Sequence, residues 1–278
     1  MRAGIDLRVL ADRICQSMLH VGIGVYHRKR GAEKVPALKC QMLLEGLAAS
    51  WPADSNLDRS KAMRVANAVI DGWEPDDGDA RDRAAFIFGI ARAEFGRRGY
   101  EATTIRDVAA AAGVGPGAVY RVVDSKEQLL ESILSSYVTS VTNGWNAVVR
   151  SDATPLQKID ALLWLDINIL KRFSEEHKIQ SVSLQYAPPS SPNLGMSFPS
   201  HLRQLRALLA DAGARASYDS SVDPRADMRA RAAFSLVWTP GNIIKELGVR
   251  PALQFARETL LRGAAAISRG EDEVGARR

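Results

Sequence analysis

Residues 113–130 read GVGPGAVYRVVDSKEQLL. Gly115, Pro116 and Gly117 crowd the first turn of a helix there, so its tip is almost bare of side chain. Proline suits that turn, where its missing N–H would be unpaired anyway. Glycine is a poor helix former and gains nothing locally. A tip this slender is shaped for something that must come close. Tyr120 and Arg121 stand just behind it, followed by Ser125-Lys126-Glu127.

Upstream, Thr104-Ile105-Arg106-Asp107 has the form of a capping box, in which the hydroxyl and the carboxylate each serve the other residue's backbone donor. Small Ala109 admits a crossing helix, and Gly113 suits the left-handed turn that ends the first one. Val119 then packs back among Ile105, Val108, Val114 and Val122. Two short helices joined this way form a helix-turn-helix.

The stretch Arg83–Leu130 resembles, along its whole length, the DNA-binding domain of tetracycline-repressor (TetR/AcrR) transcriptional regulators. Ile87, Ala91, Phe95, Gly99, Tyr100, Thr103, Thr104, Asp107, Val108, Ala109, Ala112, Gly113, Val114, Gly117, Tyr120 and Ser125-Lys126-Glu127 carry the resemblance. It implies that the helix opening with Gly115-Pro116-Gly117 is a recognition helix entering the major groove end-on. It also implies that Tyr120 and Lys126 sit on the DNA backbone. Thr104, at a helix start, is placed to offer its hydroxyl to a phosphate. Arg106 and Arg121 are long cations beside the same surface. Two features depart from the family. Val122 and Val123 replace its usual His and Phe, and Gly115 replaces a Ser or Thr cap, a loss of up to ~1 kcal/mol.

Beyond this module, apolar residues recur at three- and four-residue spacing and strand alternation is nearly absent, which predicts an all-α fold. Helices are expected over about 6–27, 35–49, 57–73, 83–98, 104–112, 116–122, 126–150, 155–177, 197–212, 224–246 and 251–268. Along the first, Leu10, Ile14, Met18, Val21 and Val25 form the apolar stripe. Pro240 and Gly241 should kink the helix over 224–246. EPDDGD, residues 74–79, reads as a linker, residues 187–200 as a proline-rich interruption, and the end from Gly270 as frayed. The expected division is an N-terminal helix pair at 1–50, a helix and linker at 51–80, the helix-turn-helix domain at 81–130, and a helical effector and dimerisation domain at 131–278.

Of 278 residues, 46 % are hydrophobic and 25 % charged, as in a soluble globular protein, and the net charge of +5 permits an anionic partner. Cys15 and Cys40, both on apolar helical stretches, are expected to be buried thiols in a reducing cytoplasm. No signal-like segment opens the chain, and no apolar run approaches the ~20 residues of a membrane span, so no membrane partner is expected.

The chain also echoes itself. Asp6–His27 aligns with Asp227–Gly248, and after a turn and a proline (Pro36, Pro251) ALKCQMLLEGLA aligns with ALQFARETLLRGAA, placing Leu43, Leu44 and Gly46 on Leu260, Leu261 and Gly263. Both segments look like the closing helix pair of a tetracycline-repressor-type unit, the pair with which that family builds its two-subunit four-helix bundle. Two arrangements follow. Either residues 5–49 pack on residues 224–269 as an intrachain pseudo-dimer, or the chain forms a true homodimer with residues 1–73 as an added helical cap. A coding start further upstream stays open.

The resemblance implies a pocket for an unidentified small-molecule effector, with Trp164, Ile167, Leu184, Tyr186, Phe198, Leu205 and Trp238 as candidate lining. His20, His27, His177 and His201 lack metal-ligand spacing, and no nucleophile elbow, phosphate loop or paired cysteine motif occurs. Neither a cofactor nor an enzymatic activity is expected. The sequence thus points to a ligand-responsive regulator, in the main a repressor, that binds double-stranded DNA. The alternative is a helical scaffold of the same descent with a decayed head.

Overall fold

Side-chain caps set several helix starts, and tertiary contacts set the stops. The computed structural model describes residues 5–19, 32–48, 50–73, 83–186, 198–211 and 224–265. Its helices are α1 (Leu7–Leu19), α2 (Val35–Glu45, after a 3-10 turn), α3 (Asp54–Asp58), α4 (Lys61–Asp71), α5 (Arg83–Arg98), α6 (Ile105–Ala111), α7 (Pro116–Val119), α8 (Lys126–Arg150), α9 (Pro155–Arg172), α10 (Ser174–Tyr186), α11 (Phe198–Asp211), α12 (Pro224–Val237), α13 (Gly241–Leu247) and α14 (Val249–Ala256). A π-helical turn, Arg257–Leu261, prolongs α14. No strand occurs among the described residues. Candidate linker 74–79, the stretch 187–197, the end from Gly270, His20 and His27 lie outside them.

Several expected helices are shorter or divided. The second ends at Gly46, whose φ of 80° and ψ of 167° leave the helical region, and does not reach Ala49. Ser60, capping Met63 N–H at 3.0 Å, separates α3 from α4 within the expected 57–73. Phe173 departs from helical geometry (φ −120°, ψ 42°) and divides the expected 155–177 into α9 and α10. Instead of a kink, Pro240 marks a full break between α12 and α13. There the Asp166 carboxylate accepts from Thr239 N–H at 2.9 Å, supplying the bond that a continuing helix would have made.

Helix α9 is buried almost all round from Ile159 to Leu170, as a helix that is apolar on every face must be. Against it lie α4, α8, α14 and α11, with α13, α10 and α12 touching it less extensively. One apolar cluster runs from Val35 through Ile87 and Val119 to Leu261, joining head and body in a single core. Buried Asp160 on α9 is met by Arg257, whose Nε and Nη2 donate to its two oxygens at 2.8 Å each. The same guanidinium donates to Asp58 at 2.7 Å, and Arg262 pairs with Asp54, so α3 is fastened to the π turn and α9 together.

The N-terminal helices lie on the C-terminal ones. α2 packs on α12 and on the π turn, while Val9 and Leu10 of α1 meet Ile243, Phe255 and Ala264 in a second small cluster. Where the helix pairs end, the chain segments exchange backbone hydrogen bonds. Leu47 N–H donates to Leu260 O at 2.9 Å, and Ala264 N–H donates to Leu43 O at 2.9 Å. In the register of the repeat, Leu47 matches Ala264 and Leu43 matches Leu260, so each bond is the counterpart of the other. Gly46 and Gly263 cross at this seam with φ of 80° and 85°. A Cβ on Gly46 would stand 2.6 Å from Leu261 O, and one on Gly263 2.6 Å from Glu45 O. From alanine to glycine the second copy spans twelve positions (252 to 263) against ten in the first (37 to 46), and the wide π turn falls within that longer stretch.

Two expectations about α1 change. The deepest face carries Val9, Leu10, Arg13 and Ser17, with Ile14 and Met18 only half-buried. Arg13 can go inward because its Nη2 donates to Leu236 O at 2.9 Å. Cys15 lies on the opposite, exposed side and Cys40 is half-buried, so neither is the enclosed thiol expected.

Candidate nucleic-acid interface

The head is built on three helices. Ile87, Ala91 and Phe95 of α5 are buried, and α5 ends at Gly99 with φ of 86°. Thr103, fully buried, donates to Gly99 O at 2.8 Å and holds the turn into α6. At the start of α6 the capping box forms as expected, with Asp107 N–H on Thr104 Oγ1 at 3.2 Å and Thr104 N–H on Asp107 Oδ2 at 2.8 Å. These bonds from Thr104, with Arg98 at 3.0 Å, hold the Asp107 carboxyl well below the usual carboxylate range. Gly113 then takes φ of 66°, and Val114 N–H returns to Ala109 O at 2.9 Å, closing α6.

Helix α7 follows as a single short turn that runs on through Val123 without continuing as α-helix. Ala118, Val119 and Val123 face inward and are buried, so the small Val123 fills its place in the core. Outward stand Gly115, Pro116, Gly117, Tyr120 and Arg121, all exposed, Tyr120 at 54 %. A Cβ at Gly115 or Gly117 would meet nothing within 4 Å, so no internal contact demands glycine at either place. Gly115 caps no N–H with a side chain. Arg106 on α6 is exposed as well, and the side chains of Arg106, Tyr120 and Arg121 make no hydrogen bond or ion pair among the described residues.

Two of the sequence-derived contacts are partly committed elsewhere. The Thr104 hydroxyl donates to Asp107 Oδ2 at 2.7 Å, so its proton points into the cap. The Lys126 ammonium lies 4.1 Å from the centre of the Tyr100 ring, which itself packs edge-on against Phe95 and donates to Glu127 at 3.3 Å. Lys126 is thereby held half-buried at the start of α8. The platform role of Tyr100 was not read from sequence, although its spacing from Phe95 along the end of α5 was the available sign.

Behind the head, α10 touches α5 and carries His177, which bonds Tyr137 at 3.0 Å and stacks on Trp238 at 4.9 Å. Trp238 lines a small cavity with Trp145, Asp166, Ile169, Leu162, Leu165 and Val141. Burial pushes the Asp166 carboxyl well above the usual range, against the Thr239 N–H bond and the charge of Arg13. Asp166 Oδ1, Trp145 Nε1 and Thr239 Oγ1 are buried there without a hydrogen-bond partner. Of the candidate lining residues whose side chains are described, only Trp238 reaches this cavity. Trp164 turns to Asn67 (Nε1 to Oδ1, 2.7 Å) and to Arg250, while Ile167 and Leu205 are enclosed in the packed core. The side chains of Leu184, Tyr186 and Phe198 lie outside the described residues. Asp166 was missed, although a carboxylate in so apolar a helix was the signal.

Residues 87–133 match the profile of bacterial regulatory proteins of the tetR family. That match covers the helix-turn-helix head, α5 to the start of α8. Over 108 residues it is 30% identical to the HTH-type transcriptional repressor KstR2 of Mycobacterium tuberculosis, covering 39% of this chain and 52% of the relative. A repressor of the same name from Rhodococcus jostii is 33% identical over 81 residues, 29% of this chain and 40% of the relative. The chain thus spans about half the length of the curated relatives it matches. A tetR-family transcriptional regulator from Bordetella parapertussis shares its fold at a TM-score of 0.53 and 21% identity, covering 68% of this chain and 99% of that one. A putative fatty acid metabolism regulator from Clostridium perfringens does so at 0.50 and 16%, covering 66% and 98%. About a third of this chain therefore lies outside the unit it has in common with each of these structures.

Proposed function

We propose that the protein is a DNA-binding transcriptional repressor that reads a duplex through α7 and the start of α6 and releases it when a small molecule occupies the body. The observation that carries this reading is the outward set Gly115, Pro116, Gly117, Tyr120, Arg121 and Arg106, left open to solvent while Ala118 and Val119 anchor the same turn to the core. Tyr120, Arg121 and Arg106 are placed for phosphate or base-edge contacts, and Lys126 and Thr104 for phosphates at its margin. Residues 81–130 form the reading head, residues 131–278 the effector and assembly domain, and residues 1–50 and 51–80 the additions before them. The cavity beside Trp238 has apolar walls and unpaired groups on Asp166 and Trp145, but its volume of about 10 Å³ holds no more than one water, so an effector has to open the body to enter there.

Proteins of this family are typically dimers. We propose that here residues 5–49 take the second subunit's place on residues 224–269. The counterpart hydrogen bonds at Gly46 and Gly263 support this over a homodimer carrying a loose N-terminal cap.

Titration of the chain against duplex DNA from around its own gene, at several salt concentrations, tests the reading. Binding should weaken steeply as salt rises, and Arg121→Ala should lower the slope of log K against log salt by about one if the residue meets a phosphate. Binding that is absent, or indifferent to salt, refutes the proposal and leaves the scaffold reading.

A further inference from the structure

Two residues that line one small cavity in the body each bring a buried polar atom without a partner. The cavity beside Trp238 has apolar walls in Val141, Leu162, Leu165 and Ile169, with Trp145 and Asp166 as its polar members. Trp145 Nε1 and Asp166 Oδ1 are the unpaired atoms, so they do not bond to each other either. Neither side chain is free to turn away. The Trp145 ring stacks on His201 at 4.8 Å and leans on Phe234 at 5.6 Å, and the other oxygen of Asp166 is tied to Thr239 N–H at 2.9 Å.

These atoms restrict what can fill the site. An indole N–H only donates, so the occupant has to accept there. Asp166 Oδ1 accepts when the carboxyl is ionised and donates when it is protonated. A hydroxyl carries both a proton and lone pairs, so it serves Trp145 together with either form of Asp166. An ammonium group has no lone pair for Trp145. A carboxylate would set a second negative charge beside Asp166, and no lysine, arginine or histidine stands among the walls. A hydrocarbon would leave both atoms unpaired. The volume of about 10 Å³ admits the hydroxyl alone, so the carbon skeleton has to take space from a wall. The other six wall residues are buried, whereas Trp238 is half-buried and lies in the break between α12 and α13.

We infer that this is a site for an uncharged alcohol, whose hydroxyl bridges Trp145 Nε1 and Asp166 Oδ1 and whose apolar skeleton takes the place that Trp238 gives up. The inference rests on the effector half of the proposal above and names the chemical class of that effector.

The test uses the full chain with nitrogen-15 in its tryptophans and four probes that share one ring: cyclohexanol, cyclohexylamine, cyclohexanecarboxylate and methylcyclohexane. At neutral pH these offer a hydroxyl, a cation, an anion and no polar group. Cyclohexanol should bind more tightly than the other three by ~10-fold or more, and it should move the indole N–H signal that Trp145→Phe removes. Trp145→Phe itself should weaken cyclohexanol by ~3–10-fold. Trp238→Ala, which opens the wall and touches neither hydrogen bond, should speed entry while keeping the preference for the alcohol. An amine or carboxylate that binds as tightly as the alcohol overturns the inference and leaves the effector proposal standing. Binding of cyclohexanol that leaves the Trp145 signal in place overturns it too, as does failure of all four probes to bind. Unchanged entry in Trp238→Ala overturns the role given to that residue. None of these measurements involves DNA, so a chain that takes the alcohol and binds no duplex keeps this site and loses the repressor reading.

Discussion

Gly46→Ala probes the seam most directly. Gly46 holds φ of 80° and ψ of 167°, a region open in practice only to glycine, and forcing another residue into it costs ~1–3 kcal/mol. The added Cβ would also stand 2.5 Å from the carbonyl carbon of Arg262 and 2.6 Å from Leu261 O. Those are backbone atoms flanked by the bonds of Leu47 and Ala264, so no side chain can swing aside to make room. Inserting a methyl group where nothing can yield costs a further ~1–3 kcal/mol. The sum, ~2–6 kcal/mol, is a large fraction of the ~5–15 kcal/mol that stabilises a typical fold. Gly99→Ala supplies the comparison, because Gly99 has φ of 86° but a Cβ there meets nothing within 4 Å. It should lose only the conformational part, ~1–2 kcal/mol. Urea unfolding followed by circular dichroism measures both. Equal losses in the two variants would refute the view that backbone contact across the seam, beyond backbone conformation, requires glycine at position 46.

Two further outcomes concern buried polar groups. Arg257→Leu strands Asp160 in the core without its cation and should cost ~3–5 kcal/mol, whereas Arg257→Leu combined with Asp160→Leu should recover most of that, as calorimetry would detect. His201 is buried against Trp145 with both ring nitrogens unbonded, and burial lowers its pKa to about 4. An unfolded histidine titrates near ~6.5, so between those values the unfolded chain takes up a proton that the folded chain refuses, and stability falls as pH drops from about 6.5 to 4. His201→Phe, which keeps an aromatic ring on Trp145, should flatten that limb of the stability curve, and an unchanged limb would show that His201 is not its source.

The helix-turn-helix was legible because each of its pieces is decided by near neighbours. Thr104 and Asp107 cap each other three residues apart, Gly113 supplies its own left-handed turn, and Pro116 opens α7. The likeness of the two helix pairs is legible as well, since Gly46 and Gly263 mark the same point in two similar segments and meet at one seam. What escaped was decided across the chain. The break at Pro240 is completed by Asp166, and Arg13 turns inward toward a carbonyl that is 223 positions away. A pattern of apolar residues cannot announce either partner. The same limit explains the effector pocket. Trp164, Ile167 and Leu205 have the right bulk, but bulk does not say which side of a helix faces a void and which faces Asn67 or the packed core.

The intrachain pseudo-dimer proposed above would have a freedom that a homodimer lacks. In a homodimer every substitution appears on both sides of the axis, so a residue is tolerated only if it suits both. Here the matched positions have diverged. Arg13 corresponds to Phe234 in the repeat, yet Phe234 packs on Trp145 with ring centres 5.6 Å apart, while Arg13 sends its guanidinium to Leu236 O and feels the charge of Asp166. Burial lowers the pKa of Arg13 to about 10 even so, which measures how poorly that position suits a cation. Lys39, buried nearby on α2 and bonded to Ser17 O at 2.7 Å, is lowered to about 8 for the same reason. Two copies of each would set four such cations into one bundle, with a desolvation cost of several kcal/mol per ion. One copy of each, placed on the side that has a carbonyl or a carboxylate to meet it, is tolerable. On the proposed arrangement, the N-terminal pair is thereby specific to this one docking place.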